Sequence, residues 1–280
     1  MKEQFSQTIS RCFVNAPFDR LRQDLLAKFI ENRLQPEIGL EGDCLYNCSR
    51  QDFKDLARTF QAEGLACTIH APFYDLSPGA SDQYIRQSSL NKLKKSFELI
   101  EVFKPQSIVC HLSYEENKHG FKQDDWLKYS IETWQELLEI AGQYQTPMML
   151  ENTYETEPKQ HQNILAALDS PYARFCLDVG HTLAFARTSW QEWLPALTPW
   201  LGQLHLHDNM GDMDNHLAIG HGIFDFAGLF DYLRQNDLSP IMTMEPHHEE
   251  QLWDSIAALD KLLFDKTPLT SPPHSTKNQP

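Results

Sequence analysis

The stretch PMMLENTYETEPKQHQNILAALDSPYARFCLDVGH, residues 147–181, contains two short apolar runs separated by a helical pattern. The runs Pro147–Glu151 and Arg174–Asp178 have the length and apolar character of buried strands. Between them, Lys159–Leu168 shows the spacing of an amphipathic helix. A strand, a helix and a second strand in this order predict a βαβ unit, in which the two strands lie parallel in one sheet.

The same alternation runs along most of the chain. Further strands are predicted at Arg11–Asn15, Glu37–Leu40, Ala66–His70, Ser107–His111, Gln203–His207 and Pro240–Glu245. Further helices are predicted at Arg20–Asn32, Gln51–Glu63, Asp82–Phe103, Asp124–Gln143, Trp190–Leu197, Asp225–Arg234 and Glu249–Leu263. Eight such units in about 250 residues predict an α/β protein with a single (β/α)8 TIM barrel.

A doubly wound open sheet is the alternative fold, but no glycine-rich fingerprint follows the first strand. We expect residues 1–265 to form the barrel domain. Residues 266–280 are polar and rich in proline without periodicity, so we expect a disordered C-terminal tail there.

Composition limits the location of the protein. The chain has 280 residues, of which 41% are hydrophobic, and this is enough for one large core. It contains no run of 18 apolar residues, and its first residues, MKEQFSQTIS, lack the apolar segment of a secretory signal. The six cysteines form no CxxC pair, which favours reduced thiols over a disulfide framework. We therefore expect a cytoplasmic protein without a membrane span.

The charge balance argues against a nucleic-acid partner. The formal net charge is −15, from 39 acidic and 24 basic residues, whereas proteins that follow phosphate backbones normally carry a basic face. The basic cluster Lys92, Lys94 and Lys95 lies on a predicted helix and is typical of a solvated helix face. We expect a small-molecule substrate, and the sequence does not indicate an oligomeric state.

Ionisable residues mark the ends of the predicted strands. In a barrel of this kind the chemistry lies at the C-terminal ends of the strands. From the third strand onward, every predicted strand ends in, or is followed by, imidazole or carboxylate groups: His70, His111, Glu151, Asp178, His181, His205, Asp214, His216 and Glu245. Such groups at one barrel mouth would repel one another or lose solvation without a cation. Nitrogen and carboxylate donors without thiolate suit Zn²⁺ or Mn²⁺, so the pattern predicts a metal site.

Spacing supports the same prediction. His205 and His207 are two residues apart on a strand, so both side chains point to the same face. Asp214 and His216 are also two residues apart, and an extended loop would let both bind one ion.

These motifs resemble those of the xylose isomerase-like TIM barrels (AP endonuclease family 2) over residues 10–250. The matching segments are HAP at His70, LENT at Glu151, DVGH at Asp178 and His181, HLHD at His205, and DNH at Asp214 and His216. Within this superfamily, endonuclease IV holds three zinc ions with nine ligands, and all nine have a counterpart here. The resemblance implies two or three Zn²⁺ ions, with Mn²⁺ as the alternative.

The resemblance leaves two functions open. Single-metal sugar epimerases of the superfamily need only Glu151, Asp178, His205 and Glu245, so the additional ligands favour the hydrolytic branch. We therefore expect a hydrolase that cleaves a phosphoester or amide bond of a small molecule with metal-activated water, Glu151 bridging the ions. The stretch HAPFYDLSPGA, beginning at His70, is similar to cobamide-remodelling amidohydrolases, which suggests a nucleotide-like or cobamide-like substrate.

The alternative is a sugar or sugar-phosphate isomerase or epimerase. In that reaction Glu151 and Glu245 would exchange a proton across the two faces of a metal-stabilised enediolate. The predicted catalytic residues, for the hydrolase and isomerase hypotheses together, are therefore Glu151 and Glu245. A binding protein with an inactive site is a third class, and it requires most of the ligand pattern to be coincidence.

Four further residues are predicted to contact substrate. Phe73 and Tyr74 follow the third strand and could stack on a flat ligand or merely cover the barrel mouth. His207 and His248 are candidates for substrate contacts, for support of the ligands or for a structural role.

Overall fold

The computed structural model describes residues 4–264 and shows a closed barrel of eight parallel strands, in the order β1 to β8 with β8 paired to β1. This confirms the predicted (β/α)8 TIM barrel. The strands are β1 Phe13–Pro17, β2 Gln35–Gly39, β3 Thr68–His70, β4 Ile108–His111, β5 Met148–Glu151, β6 Ala173–Asp178, β7 Leu201–Leu206 and β8 Ile241–Met244. The predicted domain boundary at 265 and the predicted tail lie outside the described residues.

Helices follow the strands and form the outer layer. They are α1 Ser6–Ile9, α2 Phe18–Arg20, α3 Leu26–Asn32, α4 Cys44–Asn47, α5 Arg50–Ala62, α6 Gln83–Phe97, α7 Ile100–Phe103, α8 Glu116–His119, α9 Gln123–Gln143, α10 Lys159–Leu168, α11 Val179–His181, α12 Trp190–Leu197, α13 Phe226–Gln235 and α14 Glu249–Phe264. Short π-helical turns occur at Leu21–Leu25 and Thr182–Ala186, and 3₁₀ turns at Gly120–Lys122 and Thr198–Trp200.

Polar side chains fix where two of the outer helices begin. Ser49 and Asp52 form a capping box at the start of α5, in which each side chain accepts a hydrogen bond from the other residue's backbone N–H. At the start of α6, Asp82 accepts from the N–H groups of Tyr84 and Ile85. The predicted helix Asp82–Phe103 is in fact two helices, because the apolar spacing continues across the break after α6 and does not reveal it.

Strand limits depend on the partner strand. β1 is predicted two residues too early, and it extends to Pro17 because that residue is in register with Gly39 of β2. The registers also bring ligand candidates side by side: His111 is paired with Glu151, and Asp178 with His205. The sheet itself therefore places four of the predicted ligands next to one another.

The apolar core lies between the barrel and its helices. Large buried side chains there include Phe97, Trp126, Trp134, Phe175 and Trp193. The interior of the barrel also holds a buried polar group, formed by Glu37, Thr68, Gln203 and Thr243. All six cysteines are free thiols, which agrees with the prediction against a disulfide framework. Between residues 4 and 264, no helix is both long enough and apolar enough to cross a membrane.

Candidate metal centre

The strand ends bring all nine predicted ligands to the same mouth of the barrel. His70, His111, Glu151 and Asp178 are the last residues of β3, β4, β5 and β6. His205 is the penultimate residue of β7, and Glu245 directly follows β8. The remaining three, His181, Asp214 and His216, lie in the segments after β6 and β7.

Glu151 is at the centre of the cluster and is almost completely buried. Its Oε2 atom lies 3.2 Å from His70 Nε2, 3.4 Å from His111 Nε2 and 3.5 Å from His205 Nδ1. Its Oε1 atom instead lies 3.3 Å from His181 Nδ1. The two carboxylate oxygens of Glu151 therefore face different imidazoles.

A second group surrounds His205. Its Nδ1 atom lies 3.2 Å from Glu245 Oε1 and 3.9 Å from Asp178 Oδ2, in addition to its approach to Glu151. One imidazole nitrogen thus faces three carboxylates. Glu151, Asp178 and His205 offer ligand atoms close enough together to hold one ion, and so do His70, His205 and Glu245.

The third group lies on the outer side of the cluster. Asp214 Oδ2 is 3.1 Å from His216 Nε2 and 3.3 Å from His181 Nε2. The backbone carbonyl of Glu245 accepts a hydrogen bond from His216 Nδ1 at 2.9 Å, which leaves His216 Nε2 directed at Asp214. The Asp-x-His spacing therefore brings both side chains together, as the sequence predicts.

Asn152 and Asp178 hold His181 in place. The side chain of Asn152 accepts from the N–H of Asp178 and donates to its carbonyl, at 2.9 and 3.0 Å, so it ties the end of β5 to the end of β6. Asp178 Oδ1 caps the short helix α11 by accepting from the N–H of His181 at 2.7 Å. The carbonyl of Asn152 accepts from His181 Nδ1 at 2.8 Å, so Nε2 points to Asp214.

One buried carboxylate organises the loop that carries Asp214 and His216. Asp208 accepts four backbone hydrogen bonds, at 2.9 to 3.1 Å, from the N–H groups of Asn209, Gly220, Gly222 and Phe224. A Cβ atom at Gly222 would lie 2.3 Å from Asp208 Oδ1, so glycine is required for this close approach. The loop is therefore anchored at both ends by a single side chain.

The electrostatics of the cluster balance carboxylates against imidazoles. Burial opposes the charged form of Glu151, but the neighbouring His111 and His205 outweigh it, so the pKa of this carboxyl lies well below its usual value. Burial likewise opposes the charged form of His181, and the nearby Asp178 and Asp214 raise its pKa well above the usual value. Carboxylates and imidazoles therefore stabilise each other's charged forms in this cluster, as a bound cation would stabilise the carboxylates.

Unpartnered buried atoms show that the residues fit a metal. His205 Nδ1, His207 Nδ1 and Asp214 Oδ1 are buried and have no hydrogen-bond partner. All three belong to side chains in the groups that could hold an ion. Buried polar atoms are normally hydrogen-bonded. These three are not, so they suit the role of ligands to a cation.

A cavity of about 800 Å³ opens over the cluster. Phe73, Tyr74 and His248 line it, together with seven of the nine ligand candidates, and the ring of Phe73 stacks on His111 with 4.3 Å between centroids. His207 does not line the cavity. It is almost completely buried, and its Nε2 atom lies 3.0 Å from both carboxylate oxygens of Asp178. Three of the four predicted substrate contacts therefore face the cavity, and His207 instead contacts a ligand.

The family assignment comes from a match over residues 35–262 to the family described as xylose isomerase-like TIM barrel. The chain belongs to this family. A curated relative is an uncharacterised protein, MJ1311, of Methanocaldococcus jannaschii, 25% identical over 184 residues. That alignment covers 63% of this chain and 63% of the relative.

Solved structures agree on the fold of this xylose isomerase-like barrel. A D-tagatose 3-epimerase-like protein has a TM-score of 0.78 and 23% identity, and the alignment covers 90% of this chain and 97% of that one. The TTHB071 protein of Thermus thermophilus, soaked with ZnCl₂, has a TM-score of 0.75, 24% identity and the same coverage. Further similar structures are named as sugar epimerases. At these identities the likeness shows the fold alone.

In this xylose isomerase-like chain, several residues that support the candidate metal centre were not predicted from the sequence. Asn152, Asp208 and Glu37 are buried, and each contacts a ligand or the loop that carries ligands. For Glu37 a signal was present, because an acidic residue begins the predicted strand run EIGL, which is otherwise apolar. Its contact with His205, 3.1 Å from Oε1 to Nε2, depends on barrel closure and could not be predicted from spacing.

Proposed function

We propose that the protein is a hydrolase that cleaves a phosphoester or amide bond in a small molecule and uses two or three divalent ions. The observation that carries this proposal is that Glu151 belongs to two of the ligand groups, one with His70 and His111 and the other with Asp178 and His205. A carboxylate in that position can bridge two ions. A single-ion site built on Glu151, Asp178, His205 and Glu245 would not need the separate group around Asp214.

Three sets of side chains would hold the ions. The first is His70, His111 and Glu151. The second is Glu151, Asp178 and His205, with Glu245 at 3.2 Å from His205. The third is Asp214 and His216, with His181 at 3.3 Å from Asp214. Zinc fits these nitrogen and carboxylate donors, and manganese is the alternative. Ions bound there would supply an activated water and would neutralise charge on the group under attack.

The chain's own residues orient and cover this centre. The Phe73 ring stacks on His111 and restricts the orientation of that imidazole. Tyr74 and His248 line the cavity and are proposed to contact substrate. His207 contacts both oxygens of Asp178 through Nε2 and is stacked on His216 at 3.9 Å, while its Nδ1 atom faces Asp214. We therefore assign it to the metal centre, as a support for Asp178 and His216 and as a further candidate ligand beside Asp214, in place of the predicted substrate contact.

The cavity supports a substrate larger than a single sugar ring. Its volume of about 800 Å³ falls in the upper part of the range for sites that bind drug-sized molecules, about 300–1,000 Å³. Aromatic side chains, Phe73, Tyr74, Tyr154 and Phe185, line it beside the polar cluster. This combination suits a molecule with a phosphoryl or amide group at the metal centre and a flat group against the rings. The net charge of −15 disfavours a nucleic acid.

A sugar isomerase or epimerase is the second candidate. Glu245 and Glu151 approach the same nitrogen of His205, at 3.2 and 3.5 Å, so a single ion there would have two carboxylate ligands, each able to move a proton. The names of the similar structures support this candidate. The third ligand group has no role in it.

The double variant Asp214→Ala/His216→Ala separates the two candidates. As a matched control, Asp212→Ala/His221→Ala removes the same residue types from exposed positions of the same loop region. For a hydrolase we expect the first variant to lose about one equivalent of zinc by elemental analysis. We also expect at least about a hundredfold lower hydrolysis of bis(4-nitrophenyl) phosphate or of a 4-nitroanilide, because a charge-neutralising ion is absent.

The control should keep its metal and its turnover. If the Asp214→Ala/His216→Ala protein keeps its full metal content and the wild type epimerises D-tagatose or D-psicose without hydrolysing either ester or amide, the isomerase is the correct function. A wild type that binds no zinc or manganese contradicts both candidates.

A further inference from the structure

Glu37 lies inside the barrel, beneath the metal cluster. It is the third residue of β2, not a residue at the strand end, and it is completely buried. A carboxylate at such a position requires compensation by hydrogen bonds or charge, because an isolated buried charge is strongly unfavourable.

Hydrogen-bond donors surround this carboxylate. Its Oε2 atom accepts from Gln203 Nε2 at 2.7 Å, Thr68 Oγ1 at 2.9 Å and Thr243 Oγ1 at 3.0 Å. Its Oε1 atom lies 3.1 Å from His205 Nε2 and 3.3 Å from Asn15 Nδ2. An ionised carboxylate only accepts hydrogen bonds, so five surrounding donors match the ionised form of Glu37.

The orientation of the Gln203 amide is fixed from the other side. Ser107 Oγ donates to Gln203 Oε1 at 2.6 Å, so the amide nitrogen must be the atom directed at Glu37. The network around Glu37 therefore has one consistent arrangement of donors and acceptors. It draws on residues of β2, β3, β7 and β8, which means that the closed barrel assembles it.

The network determines which nitrogen of His205 faces the metal cluster. Donation from Nε2–H to Glu37 leaves the Nδ1 lone pair free. That Nδ1 atom faces Glu245 and Glu151 at 3.2 and 3.5 Å and has no hydrogen-bond partner.

We propose that Glu37 is a positioning residue for the metal centre, forming a carboxylate–histidine–metal arrangement in which His205 binds the central ion through Nδ1. Carboxylates behind metal-binding histidines fix the tautomer and ring orientation and increase ligand basicity. The inference rests on the metal centre of the proposed function. The inference concerns the affinity for an ion at the set that contains His205. It applies equally to a hydrolase and to an isomerase.

Zinc affinity of the full-length protein tests this role. Glu37→Gln keeps the size of the side chain and removes its charge, and Glu192→Gln is the matched control because it makes the same change at an exposed position of α12, outside this network. Zinc titration against a chromophoric chelator should show about 10- to 100-fold weaker binding of the central ion in Glu37→Gln. Glu192→Gln should keep the wild-type affinity.

Nitrogen-15 spectra of zinc-loaded wild-type protein provide a second measurement that needs no variant. We expect the proton of His205 on Nε2 and the metal-shifted signal on Nδ1. A proton on Nδ1 overturns the inference, even if Glu37→Gln does not fold. Zinc binding by Glu37→Gln with wild-type affinity also overturns it, whereas failure of the wild type to bind zinc contradicts the proposed function itself.

Discussion

Asp214 Oδ1 and His207 Nδ1 face each other across 3.6 Å, and neither atom has a hydrogen-bond partner. The separation is too long for a hydrogen bond. It is close to the roughly 3.4 Å between two ligand atoms of one tetrahedral zinc, which follows from metal–ligand distances of about 2.0–2.1 Å. Each unsatisfied buried atom costs about 1–3 kcal/mol, so the metal-free protein carries an unfavourable contribution that a cation would relieve.

Zinc should therefore stabilise the fold. At a free concentration of 100 times the dissociation constant, one bound ion contributes about 2.7 kcal/mol to the free energy of unfolding. For a chain of this size each kcal/mol raises Tm by about 2–4 °C, so we expect an increase of roughly 5–10 °C. Differential scanning fluorimetry of chelator-treated protein, with and without ZnCl₂, measures this shift. An unchanged Tm would contradict every metal-based function considered above.

Replacement of the bridging candidate tests the centre directly. Glu151→Gln preserves the size of the side chain and removes the charge that is shared among four imidazoles. We expect turnover to fall at least about a hundredfold and zinc content to decrease. Glu192→Gln, on the exposed side of α12, is the control and should behave as wild type. Near-normal turnover by Glu151→Gln would place the chemistry elsewhere.

Gly180 should tolerate no side chain. A Cβ atom at this position would lie 2.0 Å from His207 Cε1, so Gly180→Ala must displace the imidazole that contacts Asp178. Such overpacking costs about 1–3 kcal/mol of stability, and metal affinity should fall with it. Gly142→Ala is the matched control, because its nearest contact would be 3.8 Å away and alanine favours the helix. Urea unfolding and zinc titration of both variants test the prediction, and equal stability of the two would refute it.

Glu155 should make stability depend on pH. Burial raises its pKa from 4.5 to about 7, although the N–H groups of Thr153 and Tyr114 donate to it. The folded state therefore holds this proton more tightly than the unfolded state, and its contribution to stability decreases as pH rises from about 4.5 to 7. We expect Glu155→Gln to flatten this part of the stability curve, measured by urea unfolding at several pH values. If the free energy of unfolding differs between wild type and Glu155→Gln by the same amount at every pH, Glu155 does not have this role.

Duplex DNA should not be a partner. With a formal charge of −15, contact with phosphates is repulsive over most of the surface. We expect no nanomolar binding of a duplex that contains an abasic analogue at physiological salt, measured by fluorescence anisotropy. Tight binding with strand incision would show that a local basic path outweighs the net charge.

Sequence alone predicted the barrel, and it predicted that the ligand candidates meet at one mouth of it, because both depend on local patterns. Each strand was recognisable from its apolar run, and from the third strand onward a ligand candidate such as His70 or Glu151 marked the strand end. The predicted strand limits were wrong where pairing with a neighbouring strand sets them. Pro17, for example, belongs to β1 because it is in register with Gly39 of β2. It also merged α6 and α7, because apolar spacing does not show where backbone hydrogen bonding is interrupted.

The supporting residues could not be predicted, since their partners are distant in the chain. Glu37 meets Gln203 and Thr243 only when β2, β7 and β8 are assembled, so its role is not visible from its neighbours in sequence. The proposed division of the nine ligand candidates into three sets could not be predicted either, because it also depends on contacts between residues that are distant in the chain. His181 approaches Asp214 through the capping of α11, which depends on the position of Asn152.

The anchoring of residues 209–224 by Asp208 leaves the tip of this loop free of a structural role. Four backbone N–H groups are held by this one carboxylate, so the path of the loop does not depend on the side chains at its tip. Met210 and Met213 at that tip are exposed. Residues 210–213 are therefore the segment in which mutations can accumulate, or a designed sequence can be inserted, without a change in the path of the loop that carries Asp214 and His216.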